Sequence, residues 1–182
     1  MTPAADKRSE LIDKLADHIL ADGLLNASLR PLAKAVGTSD RMLLYYFKDK
    51  DALIEAVLDR IADRITAILE QSAAPEPLPL EVLAPFLIES MKSEIFWPYL
   101  RLWLEVAALS AGGDPLYKAC GERIGRGFVA WGAQQLAAPH EGGRRTDAAK
   151  LLIQIEGSVL LRSLGLDDVV DRAFTPSDSA QT

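Results

Sequence analysis

Between Ser28 and Ile54 the chain reads SLRPLAKAVGTSDRMLLYYFKDKDALI, and Gly37 in the middle of this stretch constrains the fold most. Ser28 is a good helix N-cap. The residues after it put Leu32, Ala33 and Val36 on one face of a short helix. Gly37 ends that helix, because glycine takes the left-handed conformation at little steric cost. Thr38 or Ser39 then caps a second short helix that carries Leu43 and Phe47 inward. Ala33 is small where the two helices must approach closely. Asp49 caps a third helix at once. Short helix, glycine turn, short helix is the helix-turn-helix, whose second helix can lie in a major groove.

Charge supports this reading. Arg30, Lys34, Arg41, Lys48 and Lys50 crowd the second helix against only Asp40 and Asp49, a local net of +3 on a chain whose total is −6. A basic island on an acidic protein of pI about 5.0 is what a compact phosphate-contacting face produces. Residues 1–72 as a whole hold ten basic and twelve acidic residues, so the footprint is narrow.

The residues Leu32, Ala33, Val36-Gly37, Ser39, Leu43, Tyr45-Tyr46-Phe47, Lys48, Lys50 and Leu53 resemble, in order and spacing, the DNA-binding domain of the tetracycline-repressor (TetR) family of transcriptional regulators. The resemblance implies a DNA-reading helix at about Ser39–Phe47. It implies base or phosphate contacts from Ser39, Arg41 and Tyr45, and phosphate contacts from Tyr46 and Lys50. Ser28 and Arg30 would meet phosphate at the start of the preceding helix, and Lys48 belongs to the same basic run. Arg41 can reach guanine O6 and N7 with two hydrogen bonds. Two positions depart from the family. Met42 stands where Thr or Ser is frequent, and Leu44 where Tyr is frequent. Each loses a hydroxyl, and Met42 can instead touch a thymine methyl.

The rest of the chain is helical in pattern, so the expected class is all-α. Residues 6–22 carry Leu11, Leu15 and Ile19 at four-residue steps, beside Ile12 and Leu20. The third helix, about 49–71, aligns Leu53, Val57, Ile61, Ile65 and Ile68 and would be about 34 Å long. AAPEPLPL at 73–80 breaks it and marks a boundary. The expected division is a helix-turn-helix DNA-binding domain over 1–50 with its connecting helix, a helical effector-binding and dimerisation domain over 73–174, and a disordered tail over 175–182. Further helices are expected at about 79–93, from Pro98 to Ala111, from Pro115 to Ala137, and from a Thr146 cap to Leu164. A polar loop is expected over Pro139–Arg145, and a short helix near Val169–Ala173.

Phe86, Met91, Phe96, Trp97, Tyr99 and Trp103 form an aromatic-rich stretch. It reads either as ordinary core or as a pocket for an apolar or aromatic small molecule, with Glu89, Glu94, Arg101 or Glu105 as polar anchors. Gly121, Gly125 and Gly132 fall with Phe128 on one side of the helix after Pro115. The last helix presents Leu152, Ile155 and Val159. The glycines admit a close helix neighbour, within the chain or from a second copy. In the TetR family the last two long helices pair with those of a second subunit, and the resemblance implies the same here.

Other classes find little support. Cys120 is the single cysteine, so no internal disulfide forms, and His18 and His140 lack ligand spacing. No metal or cofactor is expected. No Ser-His-Asp set, phosphate loop or convincing carboxylate pair suggests an enzyme. The polar N-terminus lacks a signal peptide's apolar run, no span of about eighteen apolar residues occurs, and a cytoplasmic location is expected. The expectation is a ligand-responsive regulator, most often a repressor, binding palindromic double-stranded DNA as a homodimer. The rivals are a helical-bundle binding protein or enzyme, and a regulator without ligand response.

Overall fold

The structure is a computed structural model and describes residues 3–25, 27–71, 73–138 and 140–174. The expected tail, 175–182, and Pro139 lie outside the described residues. The described residues form nine α-helices, joined by loops and one isolated β-bridge. They group into two compact units, one of residues 1–73 with 94–127, the other of 74–93 with 128–182.

In the first unit α1 (Pro3–Asp22) and α4 (Lys50–Gln71) lie side by side. Their apolar stripes meet, and Leu15, Ile19, Leu53, Ile54 and Val57 lose all exposure. Arg60 bonds to Asp13 and to Ser9, and Arg64 to Asp13 at 2.9 Å and Asp17 at 2.7 Å. The partners rise together in number, so the two helices run in the same direction. Fully buried side chains of this kind contribute about 1.5–3 kcal/mol each, well above what half-exposed ion pairs add. Burial therefore holds the pair and the ion pairs set its register.

The same core takes in Leu102 and Val106 of α6 (Trp97–Ala111) and Tyr117 and Cys120 of α7 (Pro115–Gln135). Burial pushes the Cys120 thiol up, which suits an inert packing group. The end of α1 is fastened to α6 by charge. Arg101 donates to the carbonyls of Leu20 and Ala21, both at 2.9 Å, and Glu105 accepts from Leu24 N–H at 2.6 Å. Gly23 turns the chain there at φ +81, and a Cβ on it would sit 2.6 Å from Glu105 Oε1. Both facts require glycine.

The second unit holds α5 (Leu80–Ser90), the last part of α7, α8 (Glu141–Ser163) and α9 (Asp167–Phe174). Leu83, Leu87 and Ile88 of α5 and Leu151 and Val159 of α8 are buried. Pro85 lies inside α5. The proline-rich segment is pinned by Leu78, whose N–H donates to the Gln135 carbonyl at 2.8 Å and whose carbonyl accepts from Ala137 at 2.9 Å. Val170 anchors α9, and Arg162 and Lys92 both reach Asp171.

One boundary differs from expectation. The last long helix starts at Glu141, inside the expected loop, and Thr146 lies within it, donating to the Gly142 carbonyl at 3.1 Å. The cap is His140, whose Nδ1 accepts from Gly143 N–H at 2.9 Å. Glu141 then pairs with Arg144 and Arg145 one turn on. These contacts outweigh the glycines' low helix propensity.

Candidate nucleic-acid interface

Two short helices and the start of a third build the site. The first is α2 (Leu29–Ala35), the second α3 (Asp40–Tyr46), and α4 follows three residues later. Ser28 has the extended backbone of an N-cap, but its hydroxyl makes no cap bond. Gly37 turns the chain at φ +68, with Thr38 N–H donating back to the Ala33 carbonyl at 2.9 Å. Ser39 caps α3 by accepting from Met42 N–H at 3.3 Å. Asp49 caps α4 by accepting from Ala52 N–H at 2.8 Å. Leu32, Ala33, Leu43 and Phe47 are buried and weld the motif to α1 and α4. The inward face of α3 is thus set by Leu43 and Phe47, and everything else on α3 faces away from the core or along its rim.

The outward face carries the residues expected to meet DNA. Ser28, Arg30, Ser39, Arg41, Lys48 and Lys50 are exposed, as is Lys34. Tyr45 is 73% exposed, and Met42 and Leu44 are 41% and 43% exposed. Tyr46 is half-buried against the core and meets Tyr45 edge to face at 5.1 Å between ring centres. Tyr45 therefore projects from a fixed base.

The electrostatics separate this face from the rest of the chain. Elsewhere most cations are neutralised: Lys7 and Lys14 by Glu10, Arg60 and Arg64 by Asp13 and Asp17, Arg123 by Glu55 and Asp59, Arg162 by Asp167 and Asp171. Among the described residues, no ion pair engages Arg30, Lys34, Arg41, Lys48 or Lys50. Asp49, which lies between Lys48 and Lys50, is occupied by capping. Free cations around an exposed helix attract a polyanion.

One cation on this side escaped the sequence reading. Arg8 of α1 lies over the Phe47 ring, its guanidinium carbon 4.8 Å from the ring centre. A signal for it existed. Arg8 is four residues before Ile12, so a charge opens the apolar stripe of α1.

The other candidates fall elsewhere. Phe96 is buried, Tyr99 and Trp103 pack on the first unit's core, and Trp97 is exposed on the same unit. Phe86, exposed, and Met91, half-buried, belong to the second unit. Arg101 and Glu105, considered as polar anchors, are engaged at the end of α1, and Glu89 pairs with Lys92. Gly121 and Gly125 face Val106 and Trp103 of the same chain, and Gly132 faces Leu151. Phe128, Leu152 and Ile155 are half-buried and Val159 is buried. Among the described residues no group of three or more His, Cys, Asp or Glu could hold a metal ion. No helix there is long and apolar enough to cross a membrane.

A capped glycine-turn motif with an exposed second helix defines a helix-turn-helix protein. The family model for bacterial regulatory proteins of the tetR family matches residues 11–57. The match places a TetR-type DNA-binding segment at residues 11–57. The chain is 32% identical over 76 residues to the HTH-type transcriptional regulator BetI of Klebsiella pneumoniae (strain 342), which covers 37% of this chain and 39% of that protein. It is 26% identical over 107 residues to BetI of Ectopseudomonas mendocina (strain ymp), covering 57% of this chain and 55% of that one. The matched stretches thus span about half the length of these relatives or less. A crystal structure of a transcriptional regulator from Rhodococcus sp. Rha1 shares the fold with a TM-score of 0.69 at 19% identity, over 92% of this chain and 91% of the other.

Proposed function

We propose that the chain is a transcriptional regulator that binds a palindromic operator as a two-fold dimer and is released from it by a small apolar or aromatic effector. The observation that carries this reading is the set of free cations around α3, on a chain whose other ion-forming side chains are largely paired. In this reading α1–α4 hold the DNA-reading domain, with Arg41 at base edges and Lys50 at a phosphate. The helices beyond residue 73 serve effector binding and dimerisation.

A two-fold dimer is supported by the far side of α8. Ile153 and Leu160 are 70% and 50% exposed, Leu164 is 66% exposed, and a Cβ on Gly157 would meet nothing within 4 Å. These four positions recur at helical spacing, a stripe that a second copy could cover. Gly121, Gly125 and Gly132 of α7 face side chains of the same chain, so α8 is the better candidate surface. An effector acts only if it binds the free and DNA-bound conformations with different affinity.

The test is selection of genomic fragments by the chain, followed by mobility shift on the recovered DNA with and without candidate ligands. The reading expects a symmetric site and a shift that a ligand abolishes. Recovery of random fragments with no shared sequence would reject it.

A further inference from the structure

We propose that Arg8, at the start of α1, is a further phosphate-contacting residue of the DNA interface, held in position by the ring of Phe47. This rests on the DNA-binding reading above and extends it to an element outside the helix-turn-helix.

The register of α1 against α4 carries the argument. Asp13 meets Arg60 and Asp17 meets Arg64, an offset of 47 residues. By that offset residue 8 lies level with residue 55, about 7.5 Å along the axis from the level of Lys50 at the start of α4. Helical side chains lean toward the N-terminus, so Arg8 leans toward the α3–α4 junction. It arrives there on Phe47, the residue directly before Lys48, with its guanidinium carbon 4.8 Å from the ring centre.

Phe47 itself is 2% exposed and fixed, whereas Arg8 is exposed. A guanidinium laid on a ring is immobilised in one plane while the N–H groups at its edge stay free to donate. Among the described residues Arg8 has no ion-pair partner, and Glu10, the acid two residues on, is occupied by Lys7 at 2.9 Å and Lys14 at 2.8 Å. A fixed, uncompensated, planar donor beside Lys48 and Lys50 suits a backbone phosphate of duplex DNA better than it suits a packing role alone.

The test uses a duplex enriched from a random library by the unmodified chain, and a scrambled duplex of equal length. Each is titrated at several salt concentrations with the full chain and its variants. Arg8→Gln should lower the slope of log affinity against log salt by about 0.9 for each subunit bound. It should weaken both duplexes by the same factor and leave the thermal melt near that of the parent. Arg8→Lys keeps the charge and should restore the slope. An unchanged slope in Arg8→Gln, or a slope that Arg8→Lys does not restore, overturns the assignment. If Lys50→Ala lowers the slope and Arg8→Gln does not, Arg8 alone is wrong. If the unmodified chain binds neither duplex, the DNA reading falls and this inference falls with it.

Discussion

Arg41 and Lys50 are both exposed cations with no carboxylate partner among the described residues, yet they stand in different places and should fail differently. Lys50 opens α4, where free N–H groups and the helix dipole already favour a phosphate. Lys50→Ala should weaken all DNA sequences alike and lower the salt slope by about one. Arg41 lies in the first turn of α3 beside exposed Tyr45 and Met42. Arg41→Ala should cost roughly 1–3 kcal/mol on the selected site and relax preference at one position per half-site. Equal losses on selected and scrambled DNA would move Arg41 to the backbone. Met42 and Leu44 offer no donor, so any reading they do is apolar. Replacing thymine by uracil at single positions of the selected site should weaken binding where a methyl is touched and nowhere else. Uniform insensitivity to uracil would remove both residues from the reading set. Most of this was legible in the sequence, because caps, a glycine turn and buried Leu43 and Phe47 dictate which way α3 faces. What was not legible is pairing: that five nearby cations lack partners depends on where distant carboxylates sit, and nothing local encodes that.

The pairing of α1 with α4 depends on both burial and charge. The Arg60 guanidinium, with Arg64 beside it, holds the Asp13 carboxyl below the usual carboxylate range, against an opposing effect of partial burial. A carboxyl whose folded value is lowered adds stability above its unfolded value, near pH 4, and loses it as pH falls through the folded value. Asp13 is still 42% exposed, so screening limits the gain. Asp13→Asn should therefore cost roughly 0.5–1 kcal/mol at neutral pH. In acid titrations it should flatten the stability curve below about pH 4. An Asp13→Asn variant with the parent's full acid sensitivity would show that other carboxylates carry it. Helix boundaries show the limit of local reading. The stripes of α1 and α4 were plain, but α8 starts at Glu141 because the His140 side chain reaches forward to accept from Gly143 N–H, and histidine is a weak capping signal beside Thr146. Arg8 was readable in principle, as a charge at the head of an apolar stripe, but its ring partner is 39 positions away in the chain.

At the scale of the whole molecule the chain is two cores, and the first takes in residues 94–127 as well as the residues before the sequence break at 73–80. Leu102, Val106, Tyr117 and Cys120 join the core of α1–α4, because burial follows space and not order along the chain. The apolar stripe of α8 gives the assembly prediction. Leu160→Glu places a charge on that surface and should convert the proposed dimer to monomer in sedimentation without lowering the melt of the isolated fold. An unchanged dimer would place the interface elsewhere. The central claim is that the free cations of α2, α3 and the start of α4 form the face that meets DNA, and lysine acetylation with and without the selected duplex tests it most directly. Modification is read site by site by mass spectrometry. The account predicts that Lys34, Lys48 and Lys50 are protected by DNA while Lys118 and Lys150 stay as reactive as in the free chain. Protection of Lys118 or Lys150, with Lys48 and Lys50 unprotected, would contradict it.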